Sequence, residues 1–185
     1  MKCLTYVESE EWLAASAVKI TEHRQLAFPT EKRKARRTLI VSLPKEPLRI
    51  GLFSDQLMDW LPNGCGRMLW LSTWRTYPPN QTILFETVRR GCGESRHIID
   101  APGHLFELSA YNGYENRTPR DVQENAILAG FVLLMICFDW EGYIVTQNHD
   151  DYILLGDAYI EFFSTSGEKV KEASSLAEKF HLELR

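Results

Sequence analysis

The segment Glu94-Ser95-Arg96-His97-Ile98-Ile99-Asp100-Ala101-Pro102-Gly103-His104 carries the densest set of chemically versatile side chains in this sequence. Two histidines, two acids and an arginine surround a Pro-Gly turn. Imidazole and carboxylate side by side make a general acid/base pair, and the same groups can ligate a divalent metal. On one continuous helix His97, Asp100 and His104 would share a face, but Pro102-Gly103 interrupts such a helix. The spacing therefore has no ready metal geometry, and no metal is assigned to it. His104, Asp100 and His97 remain the candidate catalytic residues of a metal-dependent or general acid/base hydrolase. The competing reading makes them turn-forming residues that hydrogen-bond at the surface. His149-Asp150-Asp151 is a second acidic cluster with a histidine, which would complete a site if the two loops met.

Cys65 and Cys92 each stand between glycines. A nucleophilic thiol needs a lowered pKa, from a helix amino end or nearby cations. Cys92 falls after a predicted helix, where the dipole opposes thiolate formation, although Arg89, Arg90 and Arg96 are near in sequence. Small buried or turn cysteines are the plainer reading, and Cys137 reads as packing inside an apolar helix. There is no GxGxxG, no P-loop lysine motif, no GxSxG and no HExxH, so no cofactor is expected. Trp74, Arg75 and Tyr77 run from a predicted strand into Pro78-Pro79, where an aromatic and arginine cluster can anchor a partner.

These residues need elements to hold them. The stretch Ala126 to Phe138 is apolar throughout, thirteen residues without a charge or amide. A bilayer-spanning helix needs roughly 20. Thr118, Pro119 and Asp121 form a helix start, which predicts a central helix over 119–138, apolar all round in its later turns and covered on every side. Cys3 to Val7 reads as a short strand and Ser9 as the start of a helix carrying Trp12, Leu13, Ala17 and Ile20. Thr38 to Leu43 and Leu48 to Phe53 read as the arms of a hairpin turned by residues 44–47. Ser54 reads as the cap of a short helix ending near Leu61. Met68 to Thr73 is a buried strand, and Gln81 to Arg90 an amphipathic helix. Gly142 to Thr146 and Tyr152 to Leu155 are strands, while Tyr159 to Phe163 satisfies neither period cleanly. Thr165-Ser166-Gly167-Glu168 is a capping-box pattern opening a final helix to about Leu182. The sum is an α/β or α+β single domain over 1–185. It has a mixed sheet of about six strands packed around the helix at about 119–138, with residues 1–60 as a possible lobe.

Composition narrows the function classes. The chain has 185 residues, 44% apolar and 25% charged, with a net charge of −4. Those fractions suit a globular protein, and the acidic balance disfavours unspecific binding to nucleic acid or anionic membrane. Glu31 to Arg37 holds five basic residues in seven. A solvated face is the plain reading of that run, and a nucleic-acid contact through Lys32 to Arg37 the sharp one. No signal peptide is visible, which points to a cytoplasmic protein with reduced thiols and no membrane partner.

Gly66 to Phe163 resembles an uncharacterised family of bacterial proteins. The matching residues are Trp70 and Trp74 on a tryptophan-rich strand and Gly93 after a helix. Ala101-Pro102-Gly103-His104, the buried helix at 126–138 and His149 to Tyr152 complete the pattern. The resemblance implies a bacterial origin and draws attention to His104, and it carries no activity with it. The expectation that follows is a small cytoplasmic protein of unknown function that binds another protein, in its specific form a toxin-neutralising immunity protein. Its candidate contacts are Trp74, Arg75, Tyr77, Asp150 and Asp151, with Asp157 and Glu161. Acidic inhibitors of basic enzymes gain rate and specificity from complementary charge.

Overall fold

In a computed structural model, the structure describes residues 2–4, 6–14, 17–23, 25–29, 37–61, 67–73, 105–108, 119–146 and 150–185. The described strands are β1 (Lys2–Leu4), β2 (Lys19–Ile20), β3 (Leu26–Ala27), β4 (Arg37–Ser42), β5 (Arg67–Thr73), β6 (Leu105–Leu108), β7 (Glu141–Thr146), β8 (Asp151–Leu155) and β9 (Tyr159–Ser164). The helices are α1 (Tyr6–Ala14), α2 (Pro47–Trp60), α3 (Pro119–Cys137) and α4 (Gly167–Lys179). Seven strands form one sheet in the order β1-β6-β5-β7-β8-β9-β4, and β2 and β3 form a separate hairpin. Every described pairing is antiparallel, which makes the fold a mixed α+β domain.

Period-two alternation explains why this sheet needs cover on both sides. Leu69, Leu71, Ile144, Ile153, Leu155, Ile160 and Phe162 belong to one buried cluster, together with side chains of α2, α3 and α4. Their strand neighbours Met68, Trp70, Tyr143, Val145 and Tyr152 belong to a second cluster with Leu4, Leu13, Val18, Leu26 and Phe28. Three helices therefore cover one face, and α1 with the β2–β3 hairpin covers the other. On that second face Tyr152 is stacked between Phe28 at 4.3 Å and Phe163 at 4.1 Å, ring centre to ring centre. Residues from 1–60 supply both edge strands of the sheet, β1 and β4, as well as α2 in the first cluster.

α3 is the largest contributor to the first cluster. Leu128, Phe131, Val132, Leu134 and Met135 are buried, each contributing about 1.5–3 kcal/mol relative to exposure. The expectation that it is covered on every side is corrected. Ala126 and Cys137 are exposed, and Ile127, Gly130 and Leu133 are half-buried along the same stripe. Apolar side chains all round do not force complete burial, because scattered apolar groups at a surface cost little. Cys137, expected as packing, is exposed at the helix end.

α2 is the second correction, since Leu48 to Phe53 is helix rather than a hairpin arm. Pro47 occupies the first turn, where its missing N–H costs nothing, and Glu46 before it is extended at φ −87°, ψ 133°. Ile50, Phe53 and Leu57 then fall on one buried side at spacings of three and four. Ser54 is no cap: its hydroxyl donates to the Ile50 carbonyl at 2.8 Å inside the helix. Elsewhere α1 begins at Tyr6, ahead of the expected start, and Ser9 is buried within it. Residues 159–164 resolve as strand, because Tyr159 to Ser164 pairs with both β8 and β4. The cap of α4 is Ser166 without a side-chain bond, not a Thr165 box.

Gly142 marks a close backbone approach in the sheet. It faces Leu71 next to an irregularity in β5, and a Cβ there would meet the Trp70 carbonyl oxygen and lie 2.8 Å from Met135 Cε. Gly142→Ala should lower stability by about 2 kcal/mol or more, read by thermal or urea unfolding, since the Met135 methyl can swing aside but the Trp70 carbonyl is backbone and cannot give way without moving β5. An unchanged midpoint would show that this contact does not constrain the fold.

Candidate functional site

The two ends of the sheet carry different chemistry. At the end where β4 finishes, a groove of about 510 Å³ lies among the β4–α2 connection, the end of α3, the β8–β9 turn and residues 183–185. A second cavity of about 220 Å³ continues it, sharing Ser42 to Lys45 and Glu183. Leu43, Pro44, Pro47, Ile50, Ile136 and Ala158 give the groove an apolar lining. Lys45, Asp139, Asp157, Glu183 and Arg185 give it charges of both signs.

The lining follows from local backbone chemistry. α3 is closed by Asp139 in the left-handed conformation, φ 53°, and the Trp140 N–H reaches back to the Met135 carbonyl at 2.9 Å. That closure buries Trp140 and turns Asp139 outward at the groove. Residues 183–185 run along the outer edge of β4. The Ser42 N–H donates to the Glu183 carbonyl at 2.8 Å, and the Arg185 N–H donates to the Ile40 carbonyl at 3.0 Å. Leu184 sits opposite Val41 and is 72% exposed. Pro47 in the lining is followed by Leu48, 76% exposed, and one turn later by Leu52, 51% exposed.

Cys137 also lines the groove, and burial pushes its thiol above the ordinary value of 9.0. A thiol that stays protonated at neutral pH is a poor nucleophile. Among the described residues no group of three His, Cys, Asp or Glu side chains is placed to hold a metal. A partly apolar channel with mixed charge, near exposed leucines at the start of α2 and at Leu184, suits recognition of a polypeptide segment better than covalent chemistry.

At the opposite end, a row of buried polar side chains crosses the sheet on its helix-covered face. Arg67 on β5 pairs in register with Thr146 on β7, and Asp151 on β8 pairs with Ser164 on β9. Arg67 is 1% exposed, and Thr146 and Ser164 are fully buried. The Ser164 hydroxyl donates to Asp151 Oδ1 at 2.5 Å, and the Thr146 hydroxyl donates to the Asp151 carbonyl at 2.9 Å. The Ser166 N–H, at the start of α4, donates to Ser164 Oγ at 2.9 Å. This network ties the end of β7 and the start of β8 to the start of α4. Burial raises the Asp151 carboxyl above its usual value, opposed by the Ser164 bond and the Lys169 charge. Beside it, Lys169 Nζ donates to the Trp60 carbonyl at 2.9 Å, and Trp60 Nε1 donates to the Lys169 carbonyl at 2.8 Å.

The sequence candidates are distributed as follows. His97, Asp100, His104, Trp74, Arg75, Tyr77, His149, Cys65 and Cys92 lie outside the described residues, as does the helix expected over 81–90. Of the basic run, only Arg37 is described, exposed at the start of β4 with its guanidinium across Gly167. Asp150 is half-buried, and Asp151 is buried in the polar row. Asp157 is exposed in the groove, and Glu161 is half-buried on β9. Lys45, Leu48, Asp139 and Arg67 were not singled out in the sequence. Leu48 and Leu52 carried the one available signal, being apolar four residues apart on the side of α2 away from Ile50, Phe53 and Leu57.

Among the described residues no helix is long and apolar enough to cross a membrane. In comparisons with protein families, characterised proteins and solved structures, no match to this chain was found.

Two measurements test this geometry. In the native protein, iodoacetamide should modify Cys137, slowly at pH 7 and at a rate still climbing above pH 9, as read by peptide mass mapping. Labelling of Cys137 only after unfolding would show the groove to be closed. Asp151 has a folded pKa above its unfolded value, so the native state holds the extra proton. Stability from this group is then greatest at low pH and falls as pH rises from about the unfolded value through the folded one. Asp151→Asn, whose Oδ1 can still accept from Ser164, should equal or exceed the parent in stability at pH 7 and flatten the pH dependence in that window. A large loss at pH 7 would mean the ionised carboxylate stabilises the fold.

Proposed function

We propose that this protein works by binding another protein, through a contact surface that runs from the groove beside β4 around the start of α2 to the exposed Leu48 and Leu52. Leu48 carries the reading. A leucine 76% exposed at the start of a helix, followed by Leu52 at 51%, has no role in the described core. Both would lose their exposed apolar surface under a partner, at about 25 cal/mol for each Å² removed from water. The mixed charges around the groove would set register and orientation rather than supply the main affinity. A toxin-neutralising immunity protein in a bacterial cytoplasm is the specific form this reading takes. The net charge of −4 suits a basic target.

The test is affinity capture from host lysate with the wild-type chain and with Leu48→Ser/Leu52→Ser. These side chains are exposed, so the double variant should keep its melting temperature. One partner at near-equal stoichiometry should be retained by the wild type and lost by the variant, with at least a tenfold weaker Kd. Equal capture by both proteins would refute this surface, and capture of no partner would refute the binding reading.

A further inference from the structure

Among the described residues, the second face of the sheet is covered over β5, β7 and β8 by α1 and the β2–β3 hairpin, and the residues facing that side on β9 and β4 are only half-buried or exposed. Glu161 lies on this part. Its direct cross-strand neighbours are Ile40 on β4 and Leu154 on β8, and two positions along β9 on either side are Tyr159 and Phe163. All five residues are half-buried. Here one carboxylate is framed by apolar and aromatic side chains on a sheet face.

We propose that this face of β9 and β4 is a docking site for a cationic segment of a partner protein, an arginine or lysine flanked by apolar side chains, with Glu161 as its counter-charge. The inference rests on the protein-binding reading and adds the chemistry of the partner. Charge complementarity selects the occupant. Among the described residues Glu161 has no ion pair, and the groups acting on it and on its neighbour Tyr159 add no positive charge. Burial alone raises the Glu161 carboxyl, and the charges reaching Tyr159 are those of Glu161 and Glu141, both negative. A neutral apolar occupant would leave the carboxylate desolvated without a partner, which is unfavourable. A cation returns that cost and is itself held between apolar walls, where a guanidinium can also stack on the Tyr159 or Phe163 ring. The surface adjoins the groove, since Ser42 lines the groove and pairs with Tyr159. One partner can therefore span both.

The probe is the blocked peptide Leu-Arg-Leu-Arg-Leu, titrated into the isotopically labelled full chain and followed by NMR. A citrulline peptide, identical in shape but uncharged, is the control. The arginine peptide should shift resonances of Ile40, Leu154, Glu161 and Phe163, with at least fivefold weaker binding to Glu161→Gln. The citrulline peptide should bind at least fivefold more weakly to the wild type. Glu161→Gln removes a desolvated charge and should fold at least as stably as the parent, so lost binding would not reflect unfolding. Shifts confined to other surfaces, equal binding by Glu161→Gln or equal binding of the citrulline peptide would each overturn the proposal. If lysate capture yields a partner lost with Leu48→Ser/Leu52→Ser but held undiminished by Glu161→Gln, this inference fails while the protein-binding reading stands.

Discussion

Burial of the central strands on both faces is the constraint from which the rest of the molecule follows. Leu69, Ile144 and Ile153 look one way, and Met68, Trp70, Tyr143 and Tyr152 look the other. Neither face can be left wet, since each buried large side chain contributes about 1.5–3 kcal/mol only while covered. One layer of helices cannot serve both. The amino-terminal helix and the β2–β3 hairpin must therefore lie across the sheet from α2, α3 and α4. Antiparallel pairing lets neighbouring strands join by short turns, so β7, β8 and β9 form a continuous meander.

That arrangement decides where surface is left over. At one end, the start of α4, the end of β7 and the start of β8 are tied together by the Thr146, Asp151 and Ser164 network, with buried Arg67 in the same row. At the other end α3 stops at a left-handed Asp139, α2 starts at Pro47, and residues 183–185 cap the edge of β4. Three elements thus begin or end around one groove, and the short edge pairing of 183–185 leaves Leu184 outside. On the second face the hairpin reaches Tyr152 through Phe28, and β9 and β4 beyond it are only partly covered. Exposed apolar groups, and a carboxylate with no ion pair among the described residues, remain where the covering layers end.

Much of the fold was legible in the residues. The central helix, the strands at 67–73, 141–146 and 151–155, and the final helix follow from periodicity, composition and turn residues. The misreadings have physical causes. Leu48 to Phe53 is a short apolar run, and such a run does not declare its period; Pro47 in the first turn and the spacing of Ile50, Phe53 and Leu57 decide for helix. Helix ends were blurred because three of them close on left-handed residues that are not glycine: Ala17, Asp139 and His181, at φ 56°, 53° and 52°. In each, the next residue's N–H reaches back five positions: Val18 to Leu13, Trp140 to Met135, Leu182 to Ala177. Burial of Val18 and Trp140, and partial burial of Leu182, offsets the left-handed cost of about 1–2 kcal/mol, and no glycine announces it. The site was less legible for a related reason. Spacing arguments seek groups that meet within one element, whereas Lys45, Asp139, Asp157 and Glu183 come from four separate segments that only the sheet brings together.

Hydrogen–deuterium exchange of the free chain against the chain bound to its captured partner tests most directly whether function resides at this end of the sheet. Partner contact there predicts slowed exchange in residues 42–50, 133–139, 157–161 and 180–185, with little change in the already buried 67–72. Protection confined to other segments, with those four regions unchanged, would contradict it.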